Sequence, residues 1–171
     1  MNLVGSGKNK KALDAGCREG KQTRALERKG YKVTSIDISK EYEKCRIVDL
    51  NKKLPFKDNS FDLIWCSEVI EHLKSPEFTV NEFRRVLRKG GKMVLTTPNS
   101  YCWIFKFLYL FGLTPKQLQR EDHTYFFNEK QIRRLFPKAR VYGFFPYFLI
   151  KKKIAKSVGL LSPTFVIEER K

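Results

Sequence analysis

The sequence predicts a doubly wound α/β fold, a mostly parallel sheet in a three-layer α/β/α arrangement, and three observations carry that prediction. Short apolar runs alternate with stretches of helical periodicity over residues 11–99, the pattern of parallel strands joined by crossover helices. A glycine-bearing turn follows the first of those runs, and the first three runs all end in or near an aspartate. In sheets of this kind ligands bind beyond the carboxyl ends of the strands, which is where these aspartates fall.

Taken in order, residues 11–14 read as the first strand and 21–29 as a helix stopped by Gly30. Residues 32–36 and 47–50 read as the second and third strands. Residues 61–66, bounded by the turn-like KDNS at 57–60, suit a strand buried on both faces, and 68–73 starts a helix. Over 77–87, Phe78, Val80, Phe83, Val86 and Leu87 recur at roughly helical spacing until Gly90 and Gly91, and 92–97 is a fifth strand ended by Pro98. Beyond it, 101–112 is aromatic and amphipathic, Asn128 caps a helix to 136, 141–145 is strand-like and 165–169 closes the chain. The whole of 1–171 reads as one domain, with 1–10 a flexible basic lead and 101–125 a lid or substrate insert. GSGK at 5–8 lacks the upstream strand and glycine spacing of a phosphate loop.

With 35 Lys and Arg against 18 Asp and Glu the formal charge is +17, which points to an anionic partner: RNA, a lipid-linked acceptor or a phosphorylated small molecule. Solubility and ion networks in a hot environment account for the same balance. Cysteines at 17, 45, 66 and 102 form no CxxC pair, so neither a zinc site nor a disulfide framework is indicated, and a reducing cytoplasm fits best. No signal peptide is visible, and the apolar stretches 101–113 and 144–150 fall short of the roughly 20 residues of a spanning helix. A peripheral membrane contact remains compatible with them, whereas the oligomeric state is not encoded legibly.

Gly16 and Gly20, just after the first strand, let a backbone approach a ligand closely. Asp37, after the second strand, is placed to accept both hydroxyls of a ribose, and Asp49 to accept from an adenine amino group, with Ile38, Leu50 and Leu54 as apolar walls. Ordinary roles compete, since Asp37 can cap a helix near Ser39 and Asp49 can start a turn.

The segments ALDAGCREG, VTSIDIS, IVDLNKKLPF, FDLIWCSEVIEHL and RVLRKGGKMVLTTPN resemble, in order and spacing, those of class I S-adenosylmethionine-dependent methyltransferases over about residues 11–99. The resemblance implies that Asp14, Gly16 and Gly20 surround the methionine part of S-adenosylmethionine, in a loop whose Cys17 and Arg18 are further cofactor-binding candidates. It implies further that Asp37 holds the ribose, Asp49 with Leu50 holds adenine, and Cys66 and Ser67 border the methyl group. Arg18 departs from the pattern, because the family usually has a third glycine there.

Methyl transfer to a hydroxyl needs a proton acceptor, and the chain has two histidines, His72 and His123. On a helix, Glu68, Glu71 and His72 would share one face, and with His123 they resemble the E-x-x-E-H plus distal His set of small-RNA 2′-O-methyltransferases and quinone-pathway O-methyltransferases. There a divalent ion gathers the acceptor hydroxyl, yet many relatives carry EHL without a metal, so a metal is possible but not favoured. The reading is O-methylation of an unknown acceptor, with His72, His123, Glu68 and Glu71 as catalytic candidates. The alternative is a non-catalytic basic module that keeps the fold and binds RNA or an anionic membrane.

Overall fold

A computed structural model of the chain describes residues 3–118, 122–144 and 153–171. Strands β1 (Lys11–Ala15), β2 (Lys32–Asp37), β3 (Arg46–Ile47), β4 (Phe61–Ser67), β5 (Leu87–Pro98), β6 (Arg140–Phe144), β7 (Lys153–Ile154) and β8 (Thr164–Arg170) form one sheet in the order β3-β2-β1-β4-β5-β8-β6-β7. The first five in that order run parallel, and β8 inserts antiparallel between β5 and β6. The switch point, where the chain leaves β1 for β2 on one side and β4 on the other, lies at the end of β1, so the crevice opens there.

Side chains alternate across the sheet, and each face has its own core. Helix α1 (Lys21–Arg28) lies on one face, where Leu26 packs with Ala12, Leu63, Trp65 and Val94. Helices α2 (Pro76–Val86) and α5 (Glu129–Leu135) cover the other, with Phe83, Val86 and Ile132 against Leu13, Ile64, Met93 and Ile167. Ser75 caps α2 by accepting from the Phe78 N–H, and Asn128 and Gln131 form a reciprocal capping box on α5. The short helices α3 (Trp103–Tyr109), α4 (Pro115–Leu118) and α6 (Val158–Leu161) complete the set.

Four expectations need correction. Residues 3–10 are not a flexible lead: Val4 is buried, its carbonyl accepts from Lys29 Nζ, and Gly7 N–H donates to the Lys29 carbonyl. Gly7 is required for this packing, since a Cβ there would stand 2.1 Å from the Tyr31 ring. The third strand is only Arg46–Ile47. No α-helix spans 68–73; Glu68 takes the left-handed conformation (φ 54°) and only a 3-10 turn, Ile70–His72, follows. Its N–H donates to the Thr96 carbonyl, which turns the chain sharply at the sheet's edge. Finally, α2 ends at Val86, because Gly90 and Gly91 exchange backbone hydrogen bonds with Lys171 and draw 87–91 into β5.

The insert at 101–125 presents α3, which fully buries no side chain. Leu110 is 81% exposed and Phe111 69%, so the segment does not complete the core. The apolar stretch at 144–150 lies, from residue 145 on, outside the described residues. No helix among the described residues is long and apolar enough to cross a membrane.

Candidate functional site

Between β1 and α1 the backbone makes three left-handed steps, at Gly16 (φ 80°), Arg18 (φ 42°) and Gly20 (φ 75°). The N–H groups of Gly16 and Cys17 both donate to the Ile36 carbonyl, which anchors the loop to β2. A Cβ on Gly16 would stand 2.2 Å from Val69 Cγ2, so the loop lies hard against the segment that follows β4. Asp14 is buried beneath it, accepting from Thr23 Oγ1 at 2.6 Å. Burial pushes its carboxyl up to about 6, against the lowering effect of the Thr23 hydrogen bonds.

Asp37 ends β2 and closes the loop from the other side. Its Oδ2 accepts from the Arg18 N–H at 2.9 Å and its Oδ1 from the Ile38 N–H at 2.7 Å. The carboxylate thus fixes Arg18 in a conformation that costs most side chains about 1–2 kcal/mol. Asp49 accepts from the backbone and side-chain amides of Asn51, which hold its carboxyl below the usual carboxylate range.

These groups face one cavity of about 480 Å³, lined by Gly16, Arg18, Asp37, Ile38, Asp49 and Leu50 from the sequence-predicted set, and by Glu68 and His72. Asp14, Cys17, Gly20, Cys66 and Ser67 are not on its wall. Cys17 packs with Tyr42 and Cys45, Cys66 is fully buried with its thiol pushed up by that burial, and Ser67 shares a 2.7 Å hydrogen bond with Thr96. Sequence reasoning missed Glu41, Asn51, Val69 and Asp122, which line the cavity too. Asn51, two residues after Asp49, carries the signature of an Asx turn and was open to discovery; Glu41 carries no local signal.

At the far end of the cavity His72 meets the insert. Its Nδ1 donates to the Asp122 carbonyl at 3.1 Å, which makes Nε2 the acceptor of the neutral ring, and its ring stands edge-on to His123 with centroids 4.7 Å apart. Glu71, 1% exposed, accepts from Thr97 Oγ1 through Oε2, while Oε1 is buried without a hydrogen-bond partner among the described residues. Burial, reinforced by the Glu68 charge, pushes its carboxyl up to about 7. Its carbonyl accepts from the N–H groups of Thr124 and Tyr125, so the turn and the insert are stitched together. Ligand atoms of Glu71, His72 and His123 lie within 4.8 Å of one another. Glu68 stands apart from them, accepting from Thr96 Oγ1, because its left-handed backbone breaks the helical face expected for Glu68, Glu71 and His72.

The methyltransferase-domain family model matches residues 13–95. Ubiquinone biosynthesis O-methyltransferases are similar: that of Dechloromonas aromatica is 25% identical over 73% of this chain and 61% of its own length, and that of Pseudomonas syringae pv. tomato 30% over 57% and 47%. In fold, the chain resembles an S-adenosylmethionine-dependent methyltransferase from Thermotoga maritima, with TM-score 0.76 and 18% identity over 99% of this chain and 84% of that one. The chain therefore has the fold of class I methyltransferases, and its residues 13–95 are similar to their family model. It spans about half to three fifths of the curated relatives it matches, and His123 and α3 lie beyond the matched family segment.

Likeness to this family points to S-adenosylmethionine as cofactor, and the residues present fit it on two counts. Gly16 lines the cavity with backbone alone, in a left-handed conformation and with Val69 packed too close to admit a Cβ. The cavity wall holds Asp37, Glu41, Asp49, Glu68 and Asp122 against one arginine, Arg18, a balance that favours a sulfonium cation. The donor set of Glu71, His72 and His123, one carboxylate and two imidazoles, also suits a divalent cation.

Proposed function

We propose that the protein methylates a hydroxyl oxygen of its acceptor, using S-adenosylmethionine bound in the acid-lined cavity. The observation that carries this reading is His72, whose ring reaches both that cavity and the Glu71–His123 cluster. When bound, the cofactor supplies an electrophilic methyl on a sulfonium. His72 takes the acceptor proton at Nε2 while the Asp122 carbonyl holds its other nitrogen, and the Asp122 carboxylate, 3.6 Å from Nδ1, is placed to steady the imidazolium that results. Gly16, Asp37 and Asp49 fix the cofactor so that the acceptor oxygen lies in line with the methyl. Were a divalent ion used, Glu71, His72 and His123 would hold it, and it would lower the hydroxyl pKa.

The acid-lined pocket and the complete loop favour an enzyme over a fold kept only for binding. Calorimetry with S-adenosylmethionine and its demethylated product, followed by labelled-methyl transfer to hydroxylated acceptors, tests this. His72→Ala should lower kcat by roughly 10²–10⁴-fold, far more than it weakens cofactor binding; absence of binding by either ligand at millimolar concentration ends the enzymatic reading.

The exposed face of α3 and its flank supports a proposal on location. Trp103, Phe107, Leu110, Phe111 and Leu113 are all exposed, and residues 101–118 include no acid. This is the chemistry of a peripheral contact with a membrane surface, and it would bring an acceptor with an apolar body to the His72 end. Of the two tryptophans, Trp65 is buried, so a blue shift on mixing with anionic vesicles would report Trp103 alone.

A further inference from the structure

Six of the 35 cations gather away from the cofactor cavity, at the amino-terminal ends of the parallel strands. Two clefts meet there. One, of about 310 Å³, includes Lys10, Lys89, Lys92 and Arg170 in its wall; the other, of about 450 Å³, has Lys92, Lys138, Arg140 and Arg170. Because Lys92 and Arg170 belong to both, the clefts form one continuous groove across the edge from β1 to β6.

Two acids lie in the groove, and both are occupied. Asp62 accepts from the Lys11 N–H and pairs with Arg88, while Glu168 takes Lys92 Nζ and the Tyr142 hydroxyl. Lys10, Lys89, Lys138, Arg140 and Arg170 are exposed, and among the described residues none of them forms an ion pair. The strand register adds to the excess. Lys11 stands beside Lys32 across β1 and β2, and Lys92 beside Arg170 across β5 and β8, so like charges occupy neighbouring positions at two places along the same edge. Such neighbours are destabilising in isolation and are relieved by an anion that bridges them.

We infer that this edge is a docking surface for the phosphodiester backbone of a nucleic acid. From β1 to β6 the groove crosses four strand spacings, about 19 Å, which matches five or six phosphates at about 3.4 Å per nucleotide. A bilayer is the poorer match. Interfacial docking uses apolar insertion beside the cations, and every exposed large apolar side chain among the described residues lies outside the groove. The inference is independent of the methyl-transfer reading, because no residue of the groove lines the cofactor cavity.

Fluorescence anisotropy with a labelled 24-nucleotide RNA and a matching DNA duplex, over a series of salt concentrations, tests it. The wild-type protein should bind with a logarithmic salt slope of about −3.5 for the single strand, as five cations at about 0.7 each require. Lys89→Gln/Arg140→Gln/Arg170→Gln should weaken binding by about tenfold or more and shallow the slope by about 2. Lys40→Gln/Lys44→Gln/Lys53→Gln removes the same charge from other exposed positions and should leave most of the affinity. Equal losses in the two triple variants would reduce the effect to net charge and overturn the inference, as would anionic vesicles bound through Lys89, Arg140 and Arg170 in preference to RNA. Mass-spectrometric acetylation of the unmutated protein gives a readout free of folding artefacts: RNA should shield Lys10, Lys89 and Lys138, and unchanged labelling of all three would also overturn it.

Discussion

At the carboxyl end of the parallel strands the chain gathers Asp37, Glu41, Asp49, Glu68 and Asp122 around a cavity with one arginine; at the amino end it gathers five unpaired cations around two acids already in use. Strand β1, five residues long, separates the two rims by about 17 Å, roughly two Debye lengths at physiological salt. A total charge of +17 therefore says nothing about the sign of the field at the cofactor. Each rim can hold a ligand of opposite sign without competing for the other's.

Removing an acid at the first rim should have the largest effect. Asp37→Ala deletes a carboxylate that grips the Arg18 and Ile38 amides and faces the cavity, so cofactor affinity should fall by about 100-fold, or about 3 kcal/mol. Calorimetry showing an affinity within a factor of three of wild type would remove Asp37 from the binding site.

The next effect concerns protons. Glu71 titrates at about 7 in the fold against an ordinary 4.5, so the native state keeps a proton that the unfolded chain has lost. Stability fully present below pH 4.5 is therefore lost as pH rises toward 7, by about 3 kcal/mol from this group. Asp14, raised to about 6, adds a decline of the same sign at lower pH. Glu71→Gln should flatten the part above pH 6, and chemical denaturation across pH 5–8 measures it; an unchanged slope would place the titration elsewhere.

The smallest effect belongs to the second rim. Lys32→Glu turns a like-charge neighbour of Lys11 into an opposite one and should stabilise the fold by about 0.5 kcal/mol. A lower melting temperature instead would show that the cationic row is not strained when free of ligand.

The same two rims differ in how legible they were in the sequence. Gly16, Asp37, Asp49 and Leu50 sit within a few residues of strand ends, so periodicity and turn chemistry place them, and the family motif links them to a cofactor. His72 and His123 are 51 residues apart, and only the motif suggested that they meet. What the sequence hid depends on distant partners. The left-handed step at Glu68 is set by the Thr96 carbonyl, and the packing of Val4 and Gly7 by Lys29 and Tyr31. The cationic groove was hidden for the same reason: Lys10, Lys89, Lys138 and Arg170 are scattered along the chain, and only the strand order β1-β4-β5-β8-β6 assembles them.

Arg18 contributes to the loop through its backbone, held by Asp37, while its side chain is left on the cavity wall. Shape and chemistry at this position are therefore separable. Glycine should relax the turn by about 1 kcal/mol and preserve the amide that Asp37 needs, whereas asparagine, which tolerates the same conformation, would change the group over the pocket mouth without disturbing its frame. Position 18 is thus a natural dial for cofactor selectivity, and a place to mount a reporter at the threshold of the pocket.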